Sequence, residues 1–456
     1  MATVTAEVVQ TPEAVVDVDR GASSRVADAI EWGLLGIGVV LMFARTPQIT
    51  GDGFLRFEML TRLLREGVLG EGKYSLVGPL FATPLWYLGR ALEDMVWLAR
   101  FNQCVLVAGL VAFFFLLRGP LGLSVTRKFL LLLVAASMFP RYVQDFYGEV
   151  FTMVLVGAGL LALARGMAKS GIVAVAVGAA NVRATLVGLG MATLAHVWHT
   201  RRLRYLVLVA LGAALVLGET WIRHGDPLAN PYSGDAGFPT LLPFSGKPGF
   251  SYPFAFGLVS LLLSFGKGIV FFAPGILLWP RASDLRDCPE VRHAFRLWLG
   301  FTIGLVLVYS KWWAWYGGWC WGPRFLLIAA IPGSLALALA LDQLRRASQG
   351  RRMLTLAVLA LSIWVAVSAA AFDMKTLAIG QIENYRYEAF CWYLPEFSVL
   401  WHPFVSKDTN WASYYLPIIY GVAVLLALGL PGIVLLVRQQ GAKCVEWTQS
   451  LRGFRP

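Results

Sequence analysis

Long apolar runs separated by short polar or basic stretches set the pattern of this chain. The run over residues 26–44 is about twenty residues long, enough to cross a bilayer as one helix. Residues 95–117 repeat the pattern. A shorter run over 129–139 and a fourth ending before Arg165 follow. The apolar stretch 172–198 is interrupted by Asn181-Val182-Arg183. An ionised side chain at membrane depth is costly and turns toward a cavity, so this stretch splits into two short helices meeting near Arg183. Further runs cover 205–221, a segment starting at Leu258, a segment leading to Lys311, residues 325–341, a segment ending near Phe372, and residues 415–437. Apolar traverses of this kind must be helices, because lipid leaves no partner for an exposed backbone group. The pattern predicts an all-α polytopic membrane protein of about twelve transmembrane helices, within a range of roughly ten to thirteen.

The segments between the runs carry the chemistry. Basic residues such as Arg118, Arg127, Lys128, Arg165, Arg345, Arg346, Arg351 and Arg352 crowd one set of short loops, which the positive-inside rule places in the cytoplasm. External loops are then expected at 45–94, 140–149, 223–268, 311–324 and 372–412. The chain from 1 to 25 reads as a disordered cytoplasmic tail and 438–456 as a second cytoplasmic tail. In the first external loop, residues 54–65 are apolar at helical spacing with charges between, the pattern of an amphipathic helix lying in the interface. Pro79 and Pro84 then break the apolar stretch 76–88 into a re-entrant or broken helix.

Apolar residues make up 57% of the chain and charged residues 14%, against about 25% charged in a soluble domain, which excludes a soluble globular protein. The net charge of +12 lies in short loops between spans, so it reports topology and gives no support to nucleic-acid binding. The five cysteines show no metal-ligand spacing. Cys320 and Cys391 both fall in expected external segments, where pairing is possible, but two free thiols are the simpler reading. His196 and His199 share a helix face without a third ligand in sequence and assign no metal.

The unusual polar residues fall on the expected external side: Asp52, Lys73, Arg141, Asp145, Glu149, Arg183, Lys267, Lys311 and Arg324. The stretch 311–325, KWWAWYGGWCWGPRF, adds Trp313, Trp315, Tyr316, Trp319 and Trp321, and the second loop adds Tyr147. An aromatic belt at the interface accounts for some of these rings. It does not account for three glycines and an arginine among them, which suit the wall of a polar cavity. SFGKG at 264–268 has a lysine among glycines but not the spacing of a P-loop. Carboxylates, cations and rings gathered at one membrane face suit an enzyme acting on a lipid-borne substrate. A transporter, the competing class, is expected to bury such groups near the bilayer midplane.

The layout resembles the GT-C superfamily of integral-membrane glycosyltransferases, in particular the bacterial members related to protein mannosyltransferases and aminoarabinose transferases. The likeness rests on a first span followed by a long loop with Asp52, on the Lys73-Tyr74…Pro79…Pro84 segment, on Asp145 and Glu149, and on the pair SFGKG and YGGWCWGPRF. The carboxylate pair common in the first loop of the mannosyltransferases is absent, since Gly53 follows Asp52. The resemblance implies inverting transfer of a sugar from a polyprenyl-phosphate donor to a glycan or lipid hydroxyl, at the periplasmic or exterior face of the plasma (inner) membrane. It implies Asp52 as the base on the acceptor, with Asp145 and Glu149 as secondary acids or holders of a divalent cation. The donor phosphate would lie near Lys267, Arg324, Arg183 or Lys73, and the aromatic residues would contact sugar or acceptor. A flippase or transporter of lipid-linked glycan is the alternative.

Overall fold

The computed structural model describes residues 12–281 and 284–452. Among the described residues its regular structure is helical, with one isolated β-bridge and no strand. Seven helices are long and apolar enough to cross a membrane: 25–44, 96–117, 203–224, 289–311, 324–342, 349–371 and 412–440. Shorter apolar helices cover 148–164, 168–180 and 254–263. The chain is thus a polytopic helical membrane protein, and each apolar run read from the sequence holds helix. Some fall short of a full traverse because glycine, proline or a polar residue ends them early.

The first helix, α1, runs Pro12–Ala44, so the segment expected to be a disordered tail is helical from Pro12; residues 1–11 lie outside the described residues. The amphipathic helix expected after the first span is α2, Gly51–Glu66. It is followed by a one-turn helix at Val77–Leu80 and by α3, Thr83–Ala91, with prolines inside the first and at the start of the second. Next come α4, Phe101–Leu117, and α5, Gly122–Ala135, the latter starting earlier than the expected 129–139. Gly148–Ala164 forms α6, Ala168–Ala180 α7, Thr185–Thr200 α8 and Val207–His224 α9. Residues 225–253 hold no helix, and α10 covers Phe254–Leu263. The remaining long helices are α11 (Pro289–Lys311), α12 (Ala330–Asp342), α13 (Gln349–Ala371) and α14 (Ala412–Arg452). The expected second tail is therefore a continuation of α14 to Arg452, with residues 453–456 outside the described set.

The centre of the bundle is α6 and α12, which bury nearly every side chain. A helix apolar on all sides belongs in the middle, and α12, AIPGSLALALALD, is of that kind. Without a hydrophobic force between helices in lipid, small residues and polar contacts decide the packing. At the α8–α11 crossing a Cβ on Gly304 would stand 2.6 Å from the Cα of Gly188, so backbone touches backbone there. Trp298 donates its indole N–H to the Gly157 carbonyl at 2.8 Å, locking α11 to α6.

Two buried amides fix the loops that carry the site. Asn102, fully buried in α4, donates to the carbonyls of Asp145 (2.6 Å) and Tyr147 (2.8 Å). Asn181, at the break between α7 and α8, donates to Gly148 O (2.8 Å) and accepts from the Gly78 N–H (2.9 Å) and from Arg56 Nη1 (3.3 Å). A buried amide left unpaired costs about 1–3 kcal/mol, so each of these also registers one loop against the next. The Asn181 break is where the segment carrying Arg56 and Gly78 meets α6.

Candidate active site

Two helix N-termini face one arginine. Asp52 is in the first turn of α2 and Glu149 in the first turn of α6, where the helix dipole favours a negative charge by about 0.3–1 kcal/mol. Arg324 opens the 3₁₀ turn that leads into α12. Its Nη2 lies 2.6 Å from Asp52 Oδ2 and its Nε 3.6 Å from Glu149 Oε1. The longer contact is an ion pair without a hydrogen bond, and Arg324 Nε keeps its N–H unengaged among the described residues. The guanidinium also lies over the rings of Tyr147 (5.3 Å) and Phe325 (5.0 Å). Asp52 is the most open of the three, its side chain 27% exposed against 11% for Arg324 and 9% for Glu149.

Burial alone would raise the pKa of Asp52. Arg324, a hydrogen bond from the Tyr74 hydroxyl and the charge of Arg56 outweigh it and hold the carboxyl below its ordinary value. Asp52 is therefore ionised at neutral pH and keeps a face toward solvent. Asp145 behaves in the opposite sense. Burial raises its pKa, and Arg141 at 3.2 Å together with the Thr50 hydroxyl at 2.9 Å offset only part of that. Two carboxylates in one site whose environments push them apart suit different roles.

Tyr74 and Arg56 were not read as site residues from the sequence. Arg56 is buried, donates to Ser75 O at 3.0 Å and stacks over the Tyr74 ring at 5.0 Å. The signal was present, since Asp52 and Arg56 are four apart and share a face of α2. Tyr74 carried no such signal, because the first loop has to fold back on α2 before its hydroxyl finds Asp52.

The other expected residues are placed as follows. Lys73 pairs with Asp235 at 3.0 Å, fastening the 225–253 segment across the site. Arg183 donates to Thr220 Oγ1 at 2.7 Å and Ala229 O at 3.1 Å, on the flank toward α9. Lys267 is buried and gives its ammonium to the carbonyls of Cys320 (2.6 Å) and Gly322 (3.2 Å). It stands in the break after α10, where Gly266 N–H donates to Trp392 O at 3.0 Å. Lys267 thus organises the turn that delivers Arg324. In that turn Gly318 and Gly322 have φ of +77° and +58°, and a Cβ on Gly322 would stand 2.8 Å from Phe272. Left-handed backbone favours glycine. At Gly318 a Cβ would meet nothing within 4 Å, so a side chain there acts through backbone strain rather than by intruding on neighbours.

The aromatic stretch is largely packed on itself. Trp315 and Trp321 are buried, and Trp321 donates to Ser368 Oγ at 3.2 Å. Tyr316 stacks on Trp392 with ring centroids 4.0 Å apart. Trp319 lies against Gly380 and Trp313 against Gly237, holding the stretch against the 225–253 and 372–412 segments. Of the rings singled out, Tyr147 is the one in contact with Arg324. Cys320 and Cys391 are both buried free thiols. His196 does meet a further imidazole, His293, whose Nε2 is 2.7 Å from His196 Nδ1. No group of three or more His, Cys, Asp or Glu among the described residues could hold a metal, and Asp52 and Glu149 have a guanidinium between them where a bridging cation would need to sit.

Behind the turn, burial raises Glu388 to about 7, with Lys267 and a hydrogen bond to Trp392 opposing. The folded value lies above the ordinary 4.5, so the folded state holds the proton more tightly. Stability from this group is complete below pH about 4.5 and is lost as pH rises to about 7. A melting temperature that falls across that window in the wild type and falls less in Glu388→Gln is the expected result; identical slopes remove the assignment.

No protein-family model matches the chain, and no curated protein matches it. Among solved structures the chain is similar to ArnT from Cupriavidus metallidurans bound to undecaprenyl phosphate, at 14% identity and a TM-score of 0.49, over 88% of this chain and 77% of that one. A likeness at that level is too slight to carry an inference about the reaction or its residues.

Proposed function

We propose that the protein is a membrane glycosyltransferase that moves a sugar from a polyprenyl-phosphate donor to an acceptor hydroxyl, with inversion, at the end of the bundle where α2 and α6 begin. The observation that carries this reading is the Asp52–Arg324 pair, in which an ionised and half-open carboxylate is held at a helix start by a buried guanidinium. Asp52 takes the proton of the acceptor hydroxyl as its oxygen attacks the anomeric carbon, and the bond from that carbon to the phosphate oxygen breaks. The phosphate leaves as an anion and needs a cation rather than an acid. Arg324 supplies it, through the part of its guanidinium that Asp52 and Glu149 do not take. Glu149 pairs with the guanidinium through Nε, Tyr147 offers a ring to the sugar, and Lys267 positions the turn. No step requires a metal.

Asp52, Asp145 and Lys267 gather around the 317–324 turn rather than along a path between the two ends of the bundle, which favours transfer over transport. The test is reconstitution in liposomes with a labelled polyprenyl-phosphate sugar and a glycan or lipid acceptor extract. A transferase consumes the donor and labels the acceptor; intact donor moved between leaflets, with no labelled product, would retire the reading.

Tyr74→Phe offers a finer check. Loss of its hydrogen bond raises the pKa of Asp52, so the acid limb of the pH–rate profile is expected to move to higher pH with little change on the plateau. An unmoved limb separates Tyr74 from the base.

A further inference from the structure

A second feature lies outside this cluster. Between α1, α5, α13 and α14 a groove of about 280 Å³ opens at the same ends of the helices as the site. Small residues on all four helices make the room: Gly38, Ala44, Ala135, Ala366, Ala370 and Gly421. Its floor is Tyr420, whose hydroxyl donates to Leu34 O at 3.0 Å. Its lining includes the buried Gln144 and the exposed Arg45, which has no hydrogen-bond or ion-pair partner among the described residues. Arg141 is close enough to Arg45 to act on its charge, and the carboxylate paired with Arg141 is Asp145. An apolar slot is thus capped by a surplus of positive charge at the level where the first span ends.

The dimensions decide between two kinds of chain. From Gly38 to Arg45 along α1 is about 10 Å, and from Ser413 to Gly421 along α14 about 12 Å. That is less than the hydrocarbon of one leaflet, about 15 Å, and the slot ends on a tyrosine. It accepts the upper part of one acyl chain and does not offer a long polyprenyl chain a track. None of its lining residues belongs to the Asp52–Arg324 cluster. We propose that this groove binds one acyl chain of an anionic phospholipid drawn from the surrounding bilayer, with its phosphate on Arg45.

The experiment is native mass spectrometry of the purified full-length protein, titrated with an equimolar mixture of phosphatidylglycerol and phosphatidylcholine carrying the same chains. Retention of phosphatidylglycerol over phosphatidylcholine by about tenfold is expected: both offer a phosphate to Arg45, but the choline ammonium is repelled by the positive charge of Arg45 and Arg141, and a tenfold preference is about 1.4 kcal/mol. Arg45→Gln should bring the two to parity, and Arg45→Lys should keep most of the preference. Ala370→Phe, which fills the slot, should reduce retention of both lipids, with size-exclusion elution as the control for folding. An unchanged preference in Arg45→Gln overturns the headgroup assignment. If undecaprenyl phosphate displaces phosphatidylglycerol at equal concentration, and its retention depends on Arg45, the occupant is a polyprenyl lipid and the proposal is wrong. Because Arg45 is no part of the proposed catalytic cluster, either outcome leaves the transferase reading to its own test.

Discussion

Asp52→Asn is expected to lower the transfer rate by about a hundredfold to ten-thousandfold, the usual contribution of general-base catalysis. The substitution removes the proton acceptor and the charge paired with Arg324, while Glu149 still pairs with the guanidinium. An asparagine oxygen still accepts from Arg324, and α2 still starts at Gly51 with its capping unchanged. Donor affinity, measured on the same sample, should therefore stay within a few-fold of wild type. Asp145→Asn should cost much less. Asp145 is nearly buried, burial raises its pKa, and its carboxylate is taken by Arg141 and Thr50, so it is placed to support the loop rather than to take the acceptor's proton. Initial rates for the two variants decide the matter. An Asp52→Asn enzyme retaining more than about a tenth of wild-type rate has not lost its base, and Asp145 would be the next candidate.

Arg324→Gln should be at least as damaging, for a different reason. It leaves the carboxylates of Asp52 and Glu149 facing each other at two helix starts with no cation between them. Breaking a buried ion pair from one side costs about 3–5 kcal/mol; the partial exposure of Asp52 reduces that figure. The kinetic consequence is twofold. The leaving phosphate loses its cation, and the pKa of Asp52 rises because the charge that most lowers it is gone. A rate loss of about a thousandfold or more at neutral pH is expected, by analogy with the arginine that stabilises developing phosphate charge in phosphoryl transfer. The acid limb should also move to higher pH. Arg324→Lys restores charge but presents a single ammonium in place of a planar fork, so it should recover only part of the rate. Equal rates for Arg324→Gln and wild type would remove Arg324 from the chemistry.

How much of this was legible in the sequence follows from the kind of interaction each residue makes. The helical membrane fold was legible because apolar runs of spanning length have one solution in lipid. Asp52, Glu149 and Arg324 stood out because each is a charge beside glycine or at the edge of an apolar run. Their meeting was not legible, since it depends on α2, α6 and the 317–324 turn converging over long sequence separations. Lys267 shows the opposite limit. A lysine among glycines suggests a phosphate, yet its ammonium is taken by the carbonyls of Cys320 and Gly322, and backbone acceptors leave no trace in a sequence. Arg183 marked a real break in the apolar pattern, but the residue that uses the break is its neighbour Asn181. The tryptophans were conspicuous by composition, and most of them pack against one another rather than facing the site.

The most direct measurement is incubation of the purified protein in detergent with a panel of polyprenyl-phosphate sugars and an acceptor extract, following release of free polyprenyl phosphate. The account predicts acceptor-dependent release with at least one donor, abolished to within a hundredth of wild type in Asp52→Asn and Arg324→Gln. Release that is equal in wild type and both variants would contradict it.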